Sequence, residues 1–240
     1  NSEVRVVILS STGTHFCAGM DLSAFSNGVD DIPDDKKPDH ARVGEVLYRT
    51  AKELQGYISK LEEIRVPVIS AVHGGVIGGA LDLITACDMR FASNDAFFCI
   101  QEINIGMAAD VGTLQRLPKI IPDSKMREMA YTGRRMLADE AKDSGLVGEV
   151  YETQDEMLDA VHKLAAEIAS KSPVAIYGLK AVMNYSRDHN VSDSLDFNAL
   201  WSGAMLSQAD MTEAMTAQME KRDASFDKMV DVKKFNESKS

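Results

Sequence analysis

The chain has 240 residues, of which 45% are hydrophobic and 26% are charged, a composition typical of a folded globular protein with one sizeable core. Its formal net charge of -11 argues against nucleic acid as the main partner, because no long basic stripe is present to displace the counterions of a polyanion. Charged residues interrupt every apolar stretch before the ~20 residues that a membrane helix needs, so no membrane span is predicted.

Neither the cysteines nor the histidines follow a metal-binding pattern. Cys17, Cys87 and Cys99 lie far apart in apolar surroundings, which indicates buried thiols in a reducing compartment rather than a disulfide framework. The five histidines are widely spread, and most are predicted on the surface or on helix faces. We therefore predict no metal site.

The first part of the chain predicts a strand, a surface segment and a long helix. Residues 4–9 are mostly β-branched and follow Asn1 almost at once, so we expect the sequence to begin inside its domain. Residues 26–39 carry paired aspartates and two prolines, which predicts a mobile surface segment. The apolar positions of 41–64 recur at helical spacing, and this helix is expected to cover one face of a sheet.

The central part predicts a strand, a glycine-rich loop and a helix in direct succession. Residues 67–72 form the buried strand, 74–79 the loop and 80–87 the helix, and short strands follow at 90–92 and 96–100. The rest of the chain is mainly helical in pattern, and residues 1–150 are predicted as a core unit followed by a helical region at 151–240. The later helices are predicted at 111–121, 123–132, 137–145, 154–171, 174–188 and 193–222.

Two loops could present backbone amides to an anion. The loop 14–22 follows a strand, so the amides near Gly19 and Met20 can point at a negative oxygen; the alternative is a tight turn with an aspartate cap. The loop 74–79 opens a helix, and the helix dipole favours an anion at the Gly79 amide. Together the loops could form an oxyanion hole that stabilises a thioester enolate.

Three acidic residues stand in mostly apolar surroundings: Asp82, Glu102 and Asp110. Because carboxylates are seldom buried without a partner or a purpose, they are candidates for acid–base chemistry. The alternative is structural, with Asp82 and Asp110 serving helix N-termini and Glu102 pairing with a base elsewhere in the chain.

Residues 16–22, 71–83 and 86–90 resemble the signature blocks of the crotonase (enoyl-CoA hydratase/isomerase) superfamily in their proper order. The resemblance implies an α/β fold, a spiral of ββα units followed by a C-terminal helical trimerisation region. It also implies an acyl-CoA substrate, no metal or redox cofactor, and a homotrimer or a hexamer made of two trimers.

By the same resemblance, the amides of Met20 and Gly79 would form the oxyanion hole. The residues implied to bind the thioester substrate are Gly19, Met20, Asp21, Leu22, Gly79 and Ala80. Ala80 departs from the pattern, because many members have a further glycine at this position.

The segment 102–119 resembles that of the Δ3,5-Δ2,4-dienoyl-CoA isomerases within the superfamily. This implies isomerisation of a 3,5-dienoyl-CoA to a 2,4-dienoyl-CoA in fatty-acid β-oxidation, in the mitochondrial matrix or the peroxisome. Glu102 and Asp110 would be the acid–base pair, with Asp82 in a supporting role. The alternatives are a 2-enoyl-CoA hydratase that uses Asp82 and Glu102 on water, and a non-catalytic acyl-CoA-binding protein.

Overall fold

The computed structural model describes residues 2–21 and 39–232 of the chain. The strands are β1 (Val7–Leu9), β2 (Val68–Val72), β3 (Gly75–Ile77), β4 (Met89–Ser93), β5 (Phe97–Cys99), β6 (Met136–Leu137) and β7 (Glu149–Tyr151). The α-helices are α1 (His40–Glu63), α2 (Gly79–Thr85), α3 (Thr113–Arg116), α4 (Asp123–Thr132), α5 (Ala138–Ser144), α6 (Gln154–Ala169), α7 (Pro173–Asp188), α8 (Val191–Met205) and α9 (Gln208–Glu220). Two 3₁₀-helices span Gln101–Ile105 and Leu117–Lys119.

The larger sheet is parallel throughout, in the order β1-β2-β4-β7. One of its two central strands, β2, is buried along its whole length, which explains its unbroken run of small and β-branched side chains. Helix α6 covers one face of this sheet, where Met157 and Val161 pack in one cluster with Ile69 and Ala71.

The smaller sheet has the order β3-β5-β6 and contributes to the main core. Strands β3 and β5 run parallel, with Gly75 opposite Phe97, whereas β5 and β6 are antiparallel. Side chains from both sheets and from α2 meet in the core cluster, among them Val72, Val76, Leu81 and Phe98. This packing fixes β3 and α2 against each other, and the loop between them leads into the candidate site.

The predicted strands are present, but the first strand of the chain is shorter than predicted. The strand predicted at 4–9 is regular only at Val7–Leu9, and the predicted glycine loop 74–79 contains β3. Local pattern does not reveal β3, because its strand character comes from its pairing with β5. The surface segment predicted at 26–39 lies outside the described residues apart from Asp39, which caps α1 by accepting from the amides of Ala41 and Arg42.

The prediction that the helix 41–64 covers a sheet is wrong. Every residue of α1 is exposed or only partly buried, and apolar side chains such as Leu47 and Tyr57 face outwards. The sheet face is covered by α6 instead. Amphipathic spacing predicts a helix correctly but does not identify the surface that its apolar face meets.

Two predicted helices are each divided in the structure. The helix predicted at 111–121 is α3 followed by the 3₁₀-helix Leu117–Lys119, because Pro118 has no N–H to continue an α-helix. The helix predicted at 193–222 breaks after Met205, and Ser207 starts α9 by accepting from the Asp210 amide. The other predicted helices are confirmed, with bounds that differ by a few residues.

A buried ion pair joins the C-terminal helices to the sheet. The Lys180 side chain on α7 is 3% exposed, and its Nζ donates to Asp88 Oδ2 at 2.8 Å and to the carbonyls of Leu61 and Val66 at 2.6 and 3.0 Å. The Val68 amide donates to the same Asp88 oxygen at 2.7 Å. The ammonium group therefore has three acceptors, as a buried charge requires.

All three cysteines lie in the described part of the chain as free thiols. Cys87 and Cys99 are buried as predicted, whereas Cys17 is only partly buried. Burial raises the pKa of Cys87 to about 12, so this thiol stays protonated and inert at neutral pH. Among the helices of the described ranges, none is both long and apolar enough to cross a membrane.

Candidate active site

The first loop lies alongside β3 through a ladder of backbone hydrogen bonds. The Phe16 amide donates to the His73 carbonyl at 2.9 Å, the Cys17 amide to the Gly75 carbonyl at 3.1 Å, and the Ile77 amide to the Cys17 carbonyl at 3.1 Å. Since β3 leads directly into α2, this pairing brings the end of the first loop to the N-terminus of α2.

Two histidines hold this loop in place. His73 is 4% exposed, and its Nε2–H donates to the Gly13 carbonyl at 2.6 Å, so the prediction that most histidines lie on the surface is wrong for this residue. The Gly75 amide donates to Nδ1 of His15 at 2.9 Å. Gly74 lies between them at φ +56°, where a Cβ would come within 2.5 Å of the Thr14 carbonyl oxygen.

The N-terminus of α2 is open to solvent at Gly79. Gly78 precedes it at φ +57°, and no atom lies within 4 Å of the position that a Cβ on Gly79 would occupy. As the first residue of α2, Gly79 has an amide without a carbonyl acceptor in its own helix. An anionic oxygen could therefore reach this amide, and the helix dipole favours it there.

The predicted substrate-binding residues lie in different environments. Met20 is 54% exposed, Asp21 is also exposed, and Gly19 packs against the Ile77 carbonyl at φ +95°. Ala80 is 1% exposed and its methyl group belongs to the main core, so only its backbone amide could contact a ligand. Leu22 lies outside the described residues.

Asp82 is the most deeply buried of the three predicted acids. Asp82 is 1% exposed, and its Oδ1 accepts a hydrogen bond from the Thr113 amide at 2.5 Å. Its Oδ2 has no hydrogen-bond partner among the described residues. Burial raises the pKa of Asp82, and the Asp110 charge adds to this, although the hydrogen bond from the Thr113 amide opposes it.

Glu102 lies on the first 3₁₀-helix, next to the start of α2. Its Oε1 is 3.1 Å from the position that a Cβ on Gly78 would occupy, so the carboxylate lies beside the Gly78–Gly79 turn. Burial raises the pKa of Glu102, and the negative charges of Asp82 and Asp110 raise it further. The pKa values of Asp82 and Glu102 are therefore both raised, and burial together with mutual repulsion disfavours full ionisation of this group of acids.

Asp110 is exposed and belongs to an irregular stretch between the first 3₁₀-helix and α3. In the described chain, no lysine or arginine forms an ion pair with Asp110, Asp82 or Glu102, so Glu102 has no basic partner of the kind that the structural alternative required. The nearby cations already pair with other acids, as Arg116 does with Glu62 and Lys119 with Asp188. The three carboxylates thus remain available to exchange protons.

The alternative prediction that Asp82 serves a helix N-terminus agrees with the structure, although the helix is a different one. Thr113 is the first residue of α3, and Asp82 satisfies its amide, so Asp82 serves the N-terminus of α3 rather than that of its own helix. Sequence reasoning did not single out Thr113, nor Gln55, whose side chain contacts the Asp110 backbone. No local pattern signals such contacts, because the partners are 31 and 55 residues apart.

The structure is a two-sheet α/β fold in which two glycine loops meet near the start of α2, with Asp82 and Glu102 close by. Residues 1–229 match the family Enoyl-CoA hydratase/isomerase, and the chain belongs to this family. Its fold is that of the family, as the sequence resemblance implied. Among the residues that the structure describes, no group of three or more His, Cys, Asp or Glu side chains could hold a metal ion.

Named relatives and a solved structure are similar over most of the chain. The mitochondrial Delta(3,5)-Delta(2,4)-dienoyl-CoA isomerase of Rattus norvegicus is 46% identical over 225 residues, which are 93% of this chain and 68% of that protein. The peroxisomal Delta(3,5)-Delta(2,4)-dienoyl-CoA isomerase of Arabidopsis thaliana is 45% identical over 229 residues, or 95% and 82% of the two chains. The crystal structure of enoyl-CoA hydratase from Bacillus anthracis has a TM-score of 0.80 and 28% identity, covering 92% of this chain and 81% of that one.

Proposed function

We propose that this chain converts a 3,5-dienoyl-CoA to the conjugated 2,4-dienoyl-CoA. The observation that carries the proposal is the grouping of Asp82, Glu102 and Asp110 beside the open N-terminus of α2, where their charges act on one another. The relatives named as dienoyl-CoA isomerases, at about 45% identity, support the same reaction.

The thioester oxygen would lie at the backbone amides of Met20 and Gly79. When a proton leaves C2, negative charge develops on this oxygen and along the conjugated chain as far as C6. Donors already oriented at that oxygen stabilise the dienolate more than the ground state, which lowers the barrier. The Gly79 amide suits this role because it is the exposed first amide of α2.

Glu102 and Asp110 would divide the two proton transfers. A proton leaves C2 and another enters at C6, and two separate carboxylates reach the two ends better than a single fixed one. One acid must be protonated while the other is ionised. Burial and its acidic neighbours raise the pKa of Glu102, and we therefore propose Glu102 as the proton carrier and Asp110 as its partner in the second proton transfer.

Asp82 would act through the other two acids. It is buried, it holds the start of α3, and its charge contributes to the raised pKa of Glu102. We propose a tuning and positioning role for Asp82 rather than direct contact with the substrate. The reaction moves only protons and double bonds, so its balance needs no redox cofactor and no water.

Helices α7 to α9 present the surface on which we propose that copies of the chain associate. Large apolar side chains are exposed there, including Leu179, Met183, Leu195, Leu200 and Met219. Exposed apolar patches of this kind commonly mark contact sites between subunits. We propose a homotrimer or a pair of stacked trimers. Size-exclusion chromatography with light scattering measures the molar mass and would distinguish these assemblies from a monomer. The names of the relatives favour the mitochondrial matrix or the peroxisome as its location.

A parallel assay with two substrates tests the function. The purified protein receives a 3,5-dienoyl-CoA and, separately, a 2-enoyl-CoA, while absorbance reports the conjugated diene and the loss of the enoyl double bond. We expect diene formation that greatly exceeds hydration. Hydration alone would identify a hydratase that uses Asp82 and Glu102, and binding without turnover of either substrate would identify a non-catalytic acyl-CoA-binding protein.

A further inference from the structure

One face of α1 holds the segment that carries Asp110. Gln55 Nε2 donates to the Asp110 backbone carbonyl at 2.7 Å, and Lys52 Nζ donates to Gln55 Oε1 at 3.1 Å, which orients the amide. Ser59 lies one turn further along and accepts from Arg116 Nη2 at 2.9 Å. These contacts reach both ends of the stretch 110–116.

Glu62 continues this face of α1 and forms the strongest contact. Its Oε2 accepts from Arg116 Nε at 3.0 Å and Nη2 at 2.6 Å, while Arg187 of α7 donates to Oε1. Gln55, Ser59 and Glu62 are spaced by four and three residues, so they lie on one side of the helix. The side chains of Arg116 and Glu62 are largely buried, which makes a two-point contact of this kind geometrically specific.

The segment between the first 3₁₀-helix and α3 needs such support. It has no regular secondary structure between Ile105 and Thr113, and it contains Gly106 at φ +78° and Gly112 at φ +141°. Two glycines in left-handed conformations make the backbone easy to displace when external contacts are lost. The Arg116 guanidinium also occupies the space where a side chain on Gly112 would lie.

We propose that Gln55 is a positioning residue for the reaction, which fixes the Asp110 backbone from α1 and so sets where the Asp110 carboxylate meets the substrate. The inference rests on the proposed function. Arg116, bound to Glu62 and Ser59, is the second support at the far end of the same segment. An error of about 1 Å in the position of a reacting group can lower the rate on the order of 100-fold, so one hydrogen bond to this backbone is enough to matter.

The test compares Gln55→Met, which keeps the length of the side chain and removes the donor, with Glu53→Met on the exposed side of the same helix. Gln55→Lys supplies a donor of similar reach. For each protein, kcat and KM for the 3,5-dienoyl-CoA are measured, together with hydrogen–deuterium exchange of the backbone amides in 106–116. Exchange requires no turnover and reports how readily the backbone amides of the segment open to solvent, so it detects the loss of a restraint independently of activity.

We expect Gln55→Met to lower kcat by about ten-fold or more, with KM within about two-fold, and to speed exchange in 106–116. Glu53→Met should match the wild type in both measurements, and Gln55→Lys should recover part of kcat. Wild-type kcat in Gln55→Met would overturn the proposal and leave the isomerase function intact. If the wild-type protein did not isomerise the diene, the proposed function would fail, and unchanged exchange in Gln55→Met would then overturn the positioning role separately.

Discussion

The Thr113 amide donates a hydrogen bond to Oδ1 of Asp82 at 2.5 Å and so connects a buried acid of α2 to the first residue of α3. Asp110 lies three residues before Thr113. The same bond that satisfies one oxygen of Asp82 therefore also limits where the exposed acid can lie. Oδ2 of Asp82 has no partner among the described residues, which leaves a buried charge only half compensated.

Replacing this charge should stabilise the protein and impair its activity. Asp82→Asn keeps an oxygen for the Thr113 amide and removes the buried negative charge. We expect the free energy of unfolding at pH 7 to rise by about 0.5–2 kcal/mol while turnover falls, since active sites commonly sacrifice stability for function. Chemical denaturation and a steady-state assay measure the two effects.

The pH dependence of this difference has a definite sign. Burial raises the pKa of Asp82 in the folded state, so the unfolded chain ionises first as the pH rises. The wild type therefore loses stability between the unfolded pKa of about 3.9 and the higher folded value, and Asp82→Asn does not. The difference in stability between the two proteins should be constant at low pH and move in favour of Asp82→Asn as the pH rises through this window. A variant less stable than the wild type at pH 7 would contradict the assignment.

Removing either acid of the proposed pair should abolish most turnover without unfolding the protein. For Glu102→Gln and Asp110→Asn we expect kcat to fall by about 10²–10⁴, the usual contribution of a positioned acid or base. Binding of a saturated acyl-CoA, measured by calorimetry, should be retained. Glu167→Gln, on the exposed side of α6, is the matched control. Wild-type turnover in either variant would rule out the two-acid mechanism.

A methyl group at Gly79 should lower activity on the substrate without changing the stability of the fold. The Cβ of Gly79→Ala would meet no atom within 4 Å, so we expect the free energy of unfolding to stay within about 0.5 kcal/mol of the wild type. Because the methyl would enter the space beside the amide, kcat/KM should fall by at least about ten-fold. Gly56→Ala on α1 also meets open space and should keep full activity. Equal activity of both variants would place the thioester elsewhere.

The ion pair between Lys180 and Asp88 should dominate the stability of the C-terminal helices. Lys180→Met leaves the Asp88 carboxylate without its cation and two carbonyls without a donor, so a loss of about 3–5 kcal/mol is expected. Adding Asp88→Asn should recover part of it. Lys228→Met removes an exposed pair with Glu3 and should leave the unfolding transition unchanged. An equal response of Lys180→Met and Lys228→Met would show that burial adds nothing to the pair.

The two glycine loops were predictable from the sequence because each depends on a local pattern, whereas the roles of their amides and of the three acids stay predictions. The loops around Gly19 and Gly79 both follow strand-like runs, and Gly19 and Gly74 mark close backbone approaches that the structure contains. The family resemblance added the order of the blocks and the expected roles. Strand β3 was missed, because three residues among glycines become a strand only by pairing with β5.

Contacts between distant parts of the chain were not predictable. Gln55 is an ordinary polar residue in a helical pattern, and its role depends on α1 lying against a segment 55 residues away. The helix predicted across Pro118 is an error of a local kind. The apolar spacing was given more weight than the proline, which ends α-helices. Contacts between residues far apart in the sequence, rather than the type of each helix or strand, decide which acids lie together and which residues hold them in place.

Isomerisation in D₂O tests the two-acid mechanism most directly. If Glu102 and Asp110 act on separate ends of the diene, the proton that enters at C6 comes from a carboxyl group in exchange with solvent. The 2,4-dienoyl-CoA product, examined by NMR after a single turnover, should then carry deuterium at C6. A product whose C6 hydrogen came from C2, without deuterium, would show that one carboxylate carries the proton along the chain and would contradict the account.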